Sequence, residues 1–258
     1  MQNNTFSTLF VGQNLIKLSA VDSTNNYLKS LLSKSEPLPE GTVIMADDQF
    51  AGKGQQQNTW HSEPKKNLTF SILLNPKFLP IGKQFLLNMA VSLGINKALS
   101  KYLSNDVSIK WPNDIYYQNK KLGGVLIENT IVGSVLKNSV IGIGLNVNQQ
   151  YFPAELKDKA TSIYQILQED VNLEMILAEI CSLIESMYLQ LRASNDTLIK
   201  DAYVSNLYRI NKLASYRQNG EVFEGTIKGV SEGGLLSIDV DGKLATFNFK
   251  EIEFLNHI

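Results

Sequence analysis

The sequence predicts an α+β protein: a mixed or antiparallel sheet flanked by helices, followed by a small C-terminal β-barrel. Three observations carry this. Two long runs, "FLLNMAVSLGINKALSKYL" and "NLEMILAEICSLIESMYLQLRA", read as helices, the second with a clear apolar stripe. Between them, "VSIKWPNDIYY", "KLGGVLIEN" and "SVIGIGLNVN" read as strands of an antiparallel meander. After about Ile210 the texture changes to short alternating runs broken at Asn219-Gly220, Gly233-Gly234 and Asp241-Gly242. The domain boundary is therefore placed there, giving a larger unit over residues 1–210 and a β unit over 211–258.

Taken in order, "VDSTNNYLKSLLSK" opens a helix. Asp22, Ser23 and Thr24 are capping residues, and Tyr27, Leu28, Leu31 and Leu32 share one helical face. Thr42–Ala46 is a short apolar strand that delivers the chain to the loop "AGKGQQQNTW". Asn67–Pro76 is a second strand, and Phe85–Leu103 a long, mostly apolar helix. The meander turns at Pro112-Asn113-Asp114, Asn119-Lys120 and Lys137-Asn138. Leu173, Ile176, Leu177, Ile180, Ile184, Met187 and Leu191 form the stripe of the next helix, and Asn195–Arg209 reads as another.

Composition narrows the function. With 43% hydrophobic and 19% charged residues, the chain buries a proper core. Net charge is −1, which gives no electrostatic footprint for nucleic acid. Cys181 is the single cysteine, so no intrachain disulfide forms. "MQNNTFSTLF" lacks the pattern of a signal peptide, and no apolar stretch approaches the roughly 20 residues of a membrane span. The expectation is a soluble cytoplasmic protein with neither a membrane nor a nucleic acid as partner.

Some motifs mislead. Gly229-Val230-Ser231-Glu232-Gly233 matches G-x-S-x-G, but a strand-like run follows it where a nucleophile elbow needs a helix. His61 and His257 are the only histidines and lie far apart, which disfavours a zinc site or a catalytic triad. Cys181 sits mid-helix beside the apolar stripe, as a buried structural thiol does.

The informative stretches are loops and interrupted strands. Gly52-Lys53-Gly54 fails both the P-loop and the dinucleotide fingerprint. It nevertheless follows a strand and sets a cation between two glycines, where backbone N–H groups can approach an anion. Trp60 then offers a flat apolar wall. Lys110-Trp111-Pro112-Asn113-Asp114 gathers a cation, an amide and a carboxylate in one turn beside an aromatic, which suits a nucleotide and its metal. Lys121 precedes Gly123-Gly124, a pair that weakens a strand unless something lies against the backbone. Gly142 and Gly144 alternate towards Asn146 and bare one strand face to a flat or bulky ligand. Capping accounts for one of Ser23, Thr24 and Asn25, but not for all three.

Taken together, these stretches resemble a biotin protein ligase, in the family's own order and from about Leu18 onward. The resemblance implies a class II synthetase-like catalytic domain over 1–210 and an SH3-like domain over 211–258. It implies two steps. Biotin and ATP, with Mg2+, give biotinyl-5′-adenylate and pyrophosphate; a lysine of a biotin carboxyl carrier protein then attacks the mixed anhydride. By the same resemblance, Ser23, Thr24, Asn25 and Gln49 hold biotin's ureido head, with Gly123 and Gly124 on the biotin side. Gly52, Lys53, Gly54, Gln55 and Trp60 wrap the adenylate, and Lys110, Asn113 and Asn146 serve the nucleotide. Lys121 contacts the carboxylate or acyl-phosphate, and Lys121 and Lys110 are the catalytic pair. The chemistry needs such cations, because a carboxylate must meet a polyanion. A loop over Gly52–Gln57 that excludes water would protect the hydrolysable adenylate.

Two departures stand out. The family loop usually reads Gly-Arg-Gly-Arg with a further arginine before the tryptophan; here those positions hold Lys53, Gln55 and Asn58. None of these offers arginine's planar fork, so biotinyl-adenylate should leave this protein faster than its Gln55→Arg variant. Equal or slower release from the native loop contradicts this. Second, some family members carry an N-terminal DNA-binding domain, and 22 residues before Ser23 are too few for one, so no operator binding is expected. Three rivals stay open on the residues alone: a lipoate or octanoate ligase of the same general fold, a non-enzymatic binding module, and, least favoured, a cysteine-dependent acyltransferase. The meander's edge also offers a place for a homodimer partner or a carrier strand.

Overall fold

The computed structural model describes residues 6–34, 37–54 and 58–255. Seven strands form one sheet: β1 (Leu15–Leu18), β2 (Val43–Ala46), β3 (Leu68–Leu74), β4 (Val107–Lys110), β5 (Asp114–Tyr117), β6 (Lys120–Val132) and β7 (Val135–Leu145). Their order is β1-β2-β3-β7-β6-β5-β4. Only β1 and β2 run parallel; every other pair is antiparallel, so the sheet is mixed.

Period-2 alternation divides the sheet between two layers. Val43, Met45, Phe70, Ile72, Ile141 and Ile143 join the large core, together with α2 (Phe85–Leu103) and α4 (Leu173–Arg192). Ile44, Leu73 and Val140 face the other way, onto Leu28 of α1 (Thr24–Leu32). That second face is apolar only in part. In phase with Leu73 stand Ser71 and Thr69, and in phase with Val140 stand Gly142 and Gly144. Across β6 and β7, Leu126 pairs with Gly142 and Gly124 with Gly144. Beyond α1, the α1 side of the sheet thus becomes polar and glycine-bare, and a cavity opens there.

Two expected boundaries are corrected. The β6–β7 hairpin turns at Gly133-Ser134, where Gly133 takes φ +60°, and Lys137-Asn138 lies inside β7 with Asn138 paired to Thr130. Gly133 supplies the left-handed backbone that a tight turn needs. The helix after Asn195 is shorter than Asn195–Arg209: α5 spans Asp196–Ser205. Residues 206–208 then lie along β4, with Ile109 N–H donating to Asn206 O at 2.8 Å and Tyr208 N–H to Ile109 O at 2.9 Å. The outer edge of the meander is therefore taken by this chain's own backbone.

The C-terminal strands are β8 (Leu213–Gln218), β9 (Glu221–Val230), β10 (Leu236–Val240), β11 (Lys243–Phe247) and β12 (Glu253–Phe254). They form an antiparallel sheet ordered β11-β10-β9-β8-β12, with β11 and β12 at its edges among the described residues. Asn219-Gly220 and Asp241-Gly242 have positive φ at both positions (50° and 88°; 50° and 78°), as two-residue hairpins favour. Ser231 serves a turn, its hydroxyl accepting from Leu235 N–H at 3.0 Å. The sheet is fused to the larger core: Trp111 Nε1 donates to Gly234 O at 3.0 Å, and Ile227, Leu236 and Ile238 belong to the same cluster as α2.

Glu185, buried in α4, ties down the N-terminal segment. Its carboxylate accepts from Leu9, Phe10 and Val11 N–H at 2.7, 2.8 and 2.9 Å. Glu185→Gln keeps the shape but turns one acceptor into a donor facing N–H groups. The expected cost is about 1–2 kcal/mol of stability, read by denaturant unfolding; an unchanged midpoint contradicts it. Among the described residues no helix is long and apolar enough to cross a membrane.

Candidate active site

The cavity, about 160 Å³ in volume, lies between the start of α1, the 49–60 loop and the bare face of β6 and β7. The loop is brought there by backbone pairing. Phe50 N–H donates to Val21 O at 3.1 Å and Ala51 N–H to Asp22 O at 2.9 Å, so Gln49 arrives beside Ser23, Thr24 and Asn25. Its two arms are joined by Gly54 N–H to Asn58 O at 2.7 Å and Trp60 N–H to Gly52 O at 3.0 Å. Gln55 lies outside the described residues, as do the other two glutamines of its run.

At one end stands a hydrogen-bond network. Ser23 is the N-cap residue of α1 yet makes no side-chain cap bond. Gln49 caps instead: its Oε1 accepts from Thr24 N–H at 2.9 Å and from the Thr24 hydroxyl at 3.2 Å. Ser71 Oγ lies 2.7 Å from Thr24 Oγ1 and 2.6 Å from Asn25 Oδ1. Asn25 Nδ2 donates to Glu128 Oε2 at 2.8 Å, and Lys29 Nζ to Glu128 Oε1 at 2.5 Å. Ser23, Thr24, Asn25 and Ser71 are all buried. Burial pushes the Glu128 carboxyl up, but its bonds from Lys29 and Asn25 outweigh that and hold it below the usual range. Because Gln49 uses its oxygen on Thr24, its NH2 is the group left for a ligand.

At the other end stands Lys121. Lys121 Nζ is 2.7 Å from Asp114 Oδ1, and an atom added at Gly124 would meet both, at 3.4 and 3.0 Å. Lys53 instead reaches the start of α1, beside the head network: its Nζ donates to Asn26 Oδ1 at 3.1 Å, and Asn26 Nδ2 donates to Asp22 Oδ2 at 2.7 Å. Asn26's bond is the largest influence holding the Asp22 carboxyl low, with Lys53 adding to it. Asn25 lies over Gly142, which pairs with Leu126, and Leu126 is two residues from Gly124 on β6. At about 3.3 Å per residue that sets the Asn25 amide about 7 Å from the Lys121 end along the strand.

The bare strand face is covered by the protein itself. A Cβ at Gly144 would sit 2.4 Å from Trp60 Cε2, and one at Gly142 2.5 Å from Asn25 Oδ1. The expectation that a ligand alone lies on these glycines is thus amended: Trp60 and Asn25 lie there and form the cavity wall. Trp60 Nε1 is a buried donor without a partner among the described residues.

Ser23, Thr24, Asn25, Gln49, Lys53, Gly54, Trp60, Asn113, Lys121 and Gly124 all line the cavity. The other expected site residues among the described ones do not. Gly52 is packed behind it, where a Cβ would sit 2.5 Å from Trp60 O, and Gly123 allows close approach to Gly144 O, at 2.7 Å from such an atom. Asn146 is buried and donates to Thr161 O at 3.0 Å, holding a connection. Trp111 is buried away from the cavity, in contact with Phe249. Lys110 lines an adjoining cleft towards the C-terminal sheet, and Pro112 and Asn58 border both openings. Its Nζ donates to Tyr116 OH at 3.1 Å and lies 5.1 Å from the Phe254 ring centre. Burial lowers the Lys110 amine, against the pull of Asp114.

Sequence reasoning missed Ser71, Glu128, Lys29 and Asn26. One signal was available: "LTFSILL" is buried at every position, and a serine inside such a run in phase with two strand glycines marks a polar patch.

Chemically, the arrangement suits a small molecule with a polar head at the network and an anionic tail at Lys121, as an acid-activating protein requires. A model of the biotin/lipoate A/B protein ligase family matches residues 18–146. A bifunctional ligase/repressor BirA of Bacillus spizizenii is 30% identical over 248 residues, covering 95% of this chain and 75% of that protein. A biotin–[acetyl-CoA-carboxylase] ligase of Mycobacterium tuberculosis is 23% identical over 84% of this chain and 80% of its own length. Among solved structures, a biotin protein ligase from Aquifex aeolicus in complex with biotin and ATP aligns with a TM-score of 0.79 at 29% identity, covering 95% of this chain and 100% of that one. This chain belongs to the biotin/lipoate A/B protein ligase family.

Proposed function

We propose that this protein is an ATP-dependent ligase that activates biotin as biotinyl-5′-AMP and transfers it to a lysine of a biotin carboxyl carrier protein. The observation that carries the reading is the two-ended cavity, with a donor-and-acceptor network at Asn25 and Gln49 and with Lys121 at the far end. A cyclic urea carries both N–H donors and a carbonyl acceptor, and so matches the network. The dithiolane of lipoate offers nothing to it.

In the first step a carboxylate oxygen of biotin attacks the α-phosphorus of ATP and pyrophosphate leaves. Lys121 faces the meeting point of the two anions, and its pairing with Asp114 holds its ammonium in place. In the second step the carrier's amine attacks the acyl carbon and AMP leaves. Neither step needs an enzyme nucleophile. Cys181, whose thiol is buried and pushed up by that burial, takes no part.

Magnesium fits as a companion of the triphosphate. Asp114 is the one carboxylate among the described lining residues, and no group of three or more His, Cys, Asp or Glu side chains gathers among the described residues. Magnesium commonly keeps its waters and binds through phosphates plus one or two carboxylates, so Asp114 is the residue that would hold it here, where it would neutralise phosphate charge. Residues 1–210 act as the catalytic unit and 211–258 as the smaller β unit beside it. The setting is the cytoplasm, where ATP is at hand.

Pyrophosphate exchange into ATP tests the reading. Exchange is expected with biotin and not with lipoate or without acid. Exchange with lipoate would identify a lipoate ligase, and none with any acid would leave a binding module.

A further inference from the structure

We propose that Glu128, clamped by Lys29, is a positioning residue that fixes which way round the Asn25 amide stands, and with it the donor–acceptor polarity of the head-recognition network. The inference rests on the reading of this cavity as the biotin site.

An asparagine amide has two ends of nearly equal size, one donating and one accepting, so packing alone does not orient it. Here Nδ2 lies 2.8 Å from Glu128 Oε2, and Oδ1 lies 2.6 Å from Ser71 Oγ. An ionised carboxylate only accepts, so it accommodates the NH2 end and rejects the oxygen. Lys29 Nζ, 2.5 Å from Glu128 Oε1, and the carboxyl's lowered pKa keep that charge in place at neutral pH. The oxygen is thereby turned towards the bare position of Gly142, where an added Cβ would come within 2.5 Å of it.

Thr24 transmits no such choice. Its hydroxyl donates to Gln49 Oε1, and its own oxygen accepts from Ser71 whenever Ser71 does not donate to Asn25. Ser71 has one proton and two acceptors within reach, so it adapts to whichever end Asn25 offers. Without Glu128 the Nδ2 end keeps only its long bond to Leu126 O, at 3.4 Å, and the amide can flip. Ser71 then donates to Thr24 and accepts from Nδ2. The cavity wall beside Gly142 changes from an acceptor to a donor, and a ligand N–H placed there meets another N–H. Glu128 touches no substrate in this scheme; it acts through Asn25.

The test is calorimetric titration of biotin into the intact protein. Glu128→Ala is expected to weaken biotin by about tenfold, and Lys29→Met by about two- to threefold, with the KM for ATP unchanged. In an Asn25→Ala background, Glu128→Ala should add less than about twofold, because the amide it orients is gone. Glu128→Gln offers an oxygen or an NH2 at will and should fall between wild type and Glu128→Ala. Near-native biotin affinity in a folded Glu128→Ala protein overturns the proposal. So does an equal loss in the Asn25→Ala background, or a rise in the KM for ATP that keeps pace with the loss. A wild-type protein that binds no biotin removes the site reading itself, a result distinct from any of these.

Discussion

Lys121→Met should lower the maximal rate of biotin-dependent pyrophosphate exchange by about 10²–10³-fold while biotin affinity changes little, the size expected for losing one preorganised group that meets developing charge. Lys121 is the lysine that lines the cavity and is held by a carboxylate, Asp114 at 2.7 Å. The pair points the ammonium into the cavity end. Methionine preserves much of the stem and removes the charge, so binding of the biotin head at Asn25, about 7 Å along β6 by strand geometry, should be spared. Lys121→Arg keeps the charge on a wider, planar group and should recover part of the rate. Steady-state exchange with both substrates varied separates the outcomes. A fall in rate at saturating substrates supports a role in the transition state. An unchanged maximal rate with a raised KM would show that Lys121 only helps to bind.

Gly142→Ala should reduce biotin affinity by about 100-fold or more. Asn25 and its partners must move by more than the few tenths of an ångström that a packed site tolerates. The new Cβ would stand 2.5 Å from Asn25 Oδ1, 2.9 Å from Cγ and 3.0 Å from Nδ2. The amide cannot step aside without leaving Glu128 or Ser71. Gly133→Ala is the control. Gly133 lies at the hairpin tip in open space, though at φ +60°, so alanine there strains the turn and leaves the cavity alone. Calorimetry on both variants, with melting curves to show that each is folded, gives the comparison. Near-native biotin affinity in Gly142→Ala would remove Asn25 from the recognition network.

The core elements were legible because their apolar patterns are strong. Phe85–Leu103 is predicted and found with the same ends, and the stripe from Ile176 to Leu191 is buried in α4. Boundaries set by single backbone conformations were less legible. Asn138 has turn chemistry, yet it pairs within a long hairpin whose tip is Gly133. Arg209 and Asn211 look helical or neutral, but both adopt left-handed backbone where the chain turns into the C-terminal sheet.

Much of the cavity lining was legible from motifs in series, because each motif ends at a strand or helix terminus that the sheet brings to one face. The failures are instructive. Lys110 and Lys121 are near in sequence, but β4 and β6 are separated by β5, so their side chains serve different openings. Trp111 carries the look of a ligand-stacking aromatic and instead anchors the second sheet through Gly234. Asn146 ends a glycine-marked strand, but its amide is used on Thr161. Ser71 is marked locally only as a serine in an apolar run, and Glu128 lies in a strand whose local sequence announces nothing of the site. Their role follows from register, which places them opposite Gly142 and Val140 across β7.

The central claim is that one cavity takes biotin's head at Asn25 and Gln49 and its carboxylate at Lys121. The most direct measurement is a crystal structure of the protein with biotin. The account predicts the ureido group within hydrogen-bond reach of Asn25 Oδ1 and Gln49 Nε2, the carboxylate pointing at Lys121, and Trp60 against the ligand. Biotin bound in the reverse direction, or outside the wall formed by Gly142, Gly144 and Trp60, would contradict it.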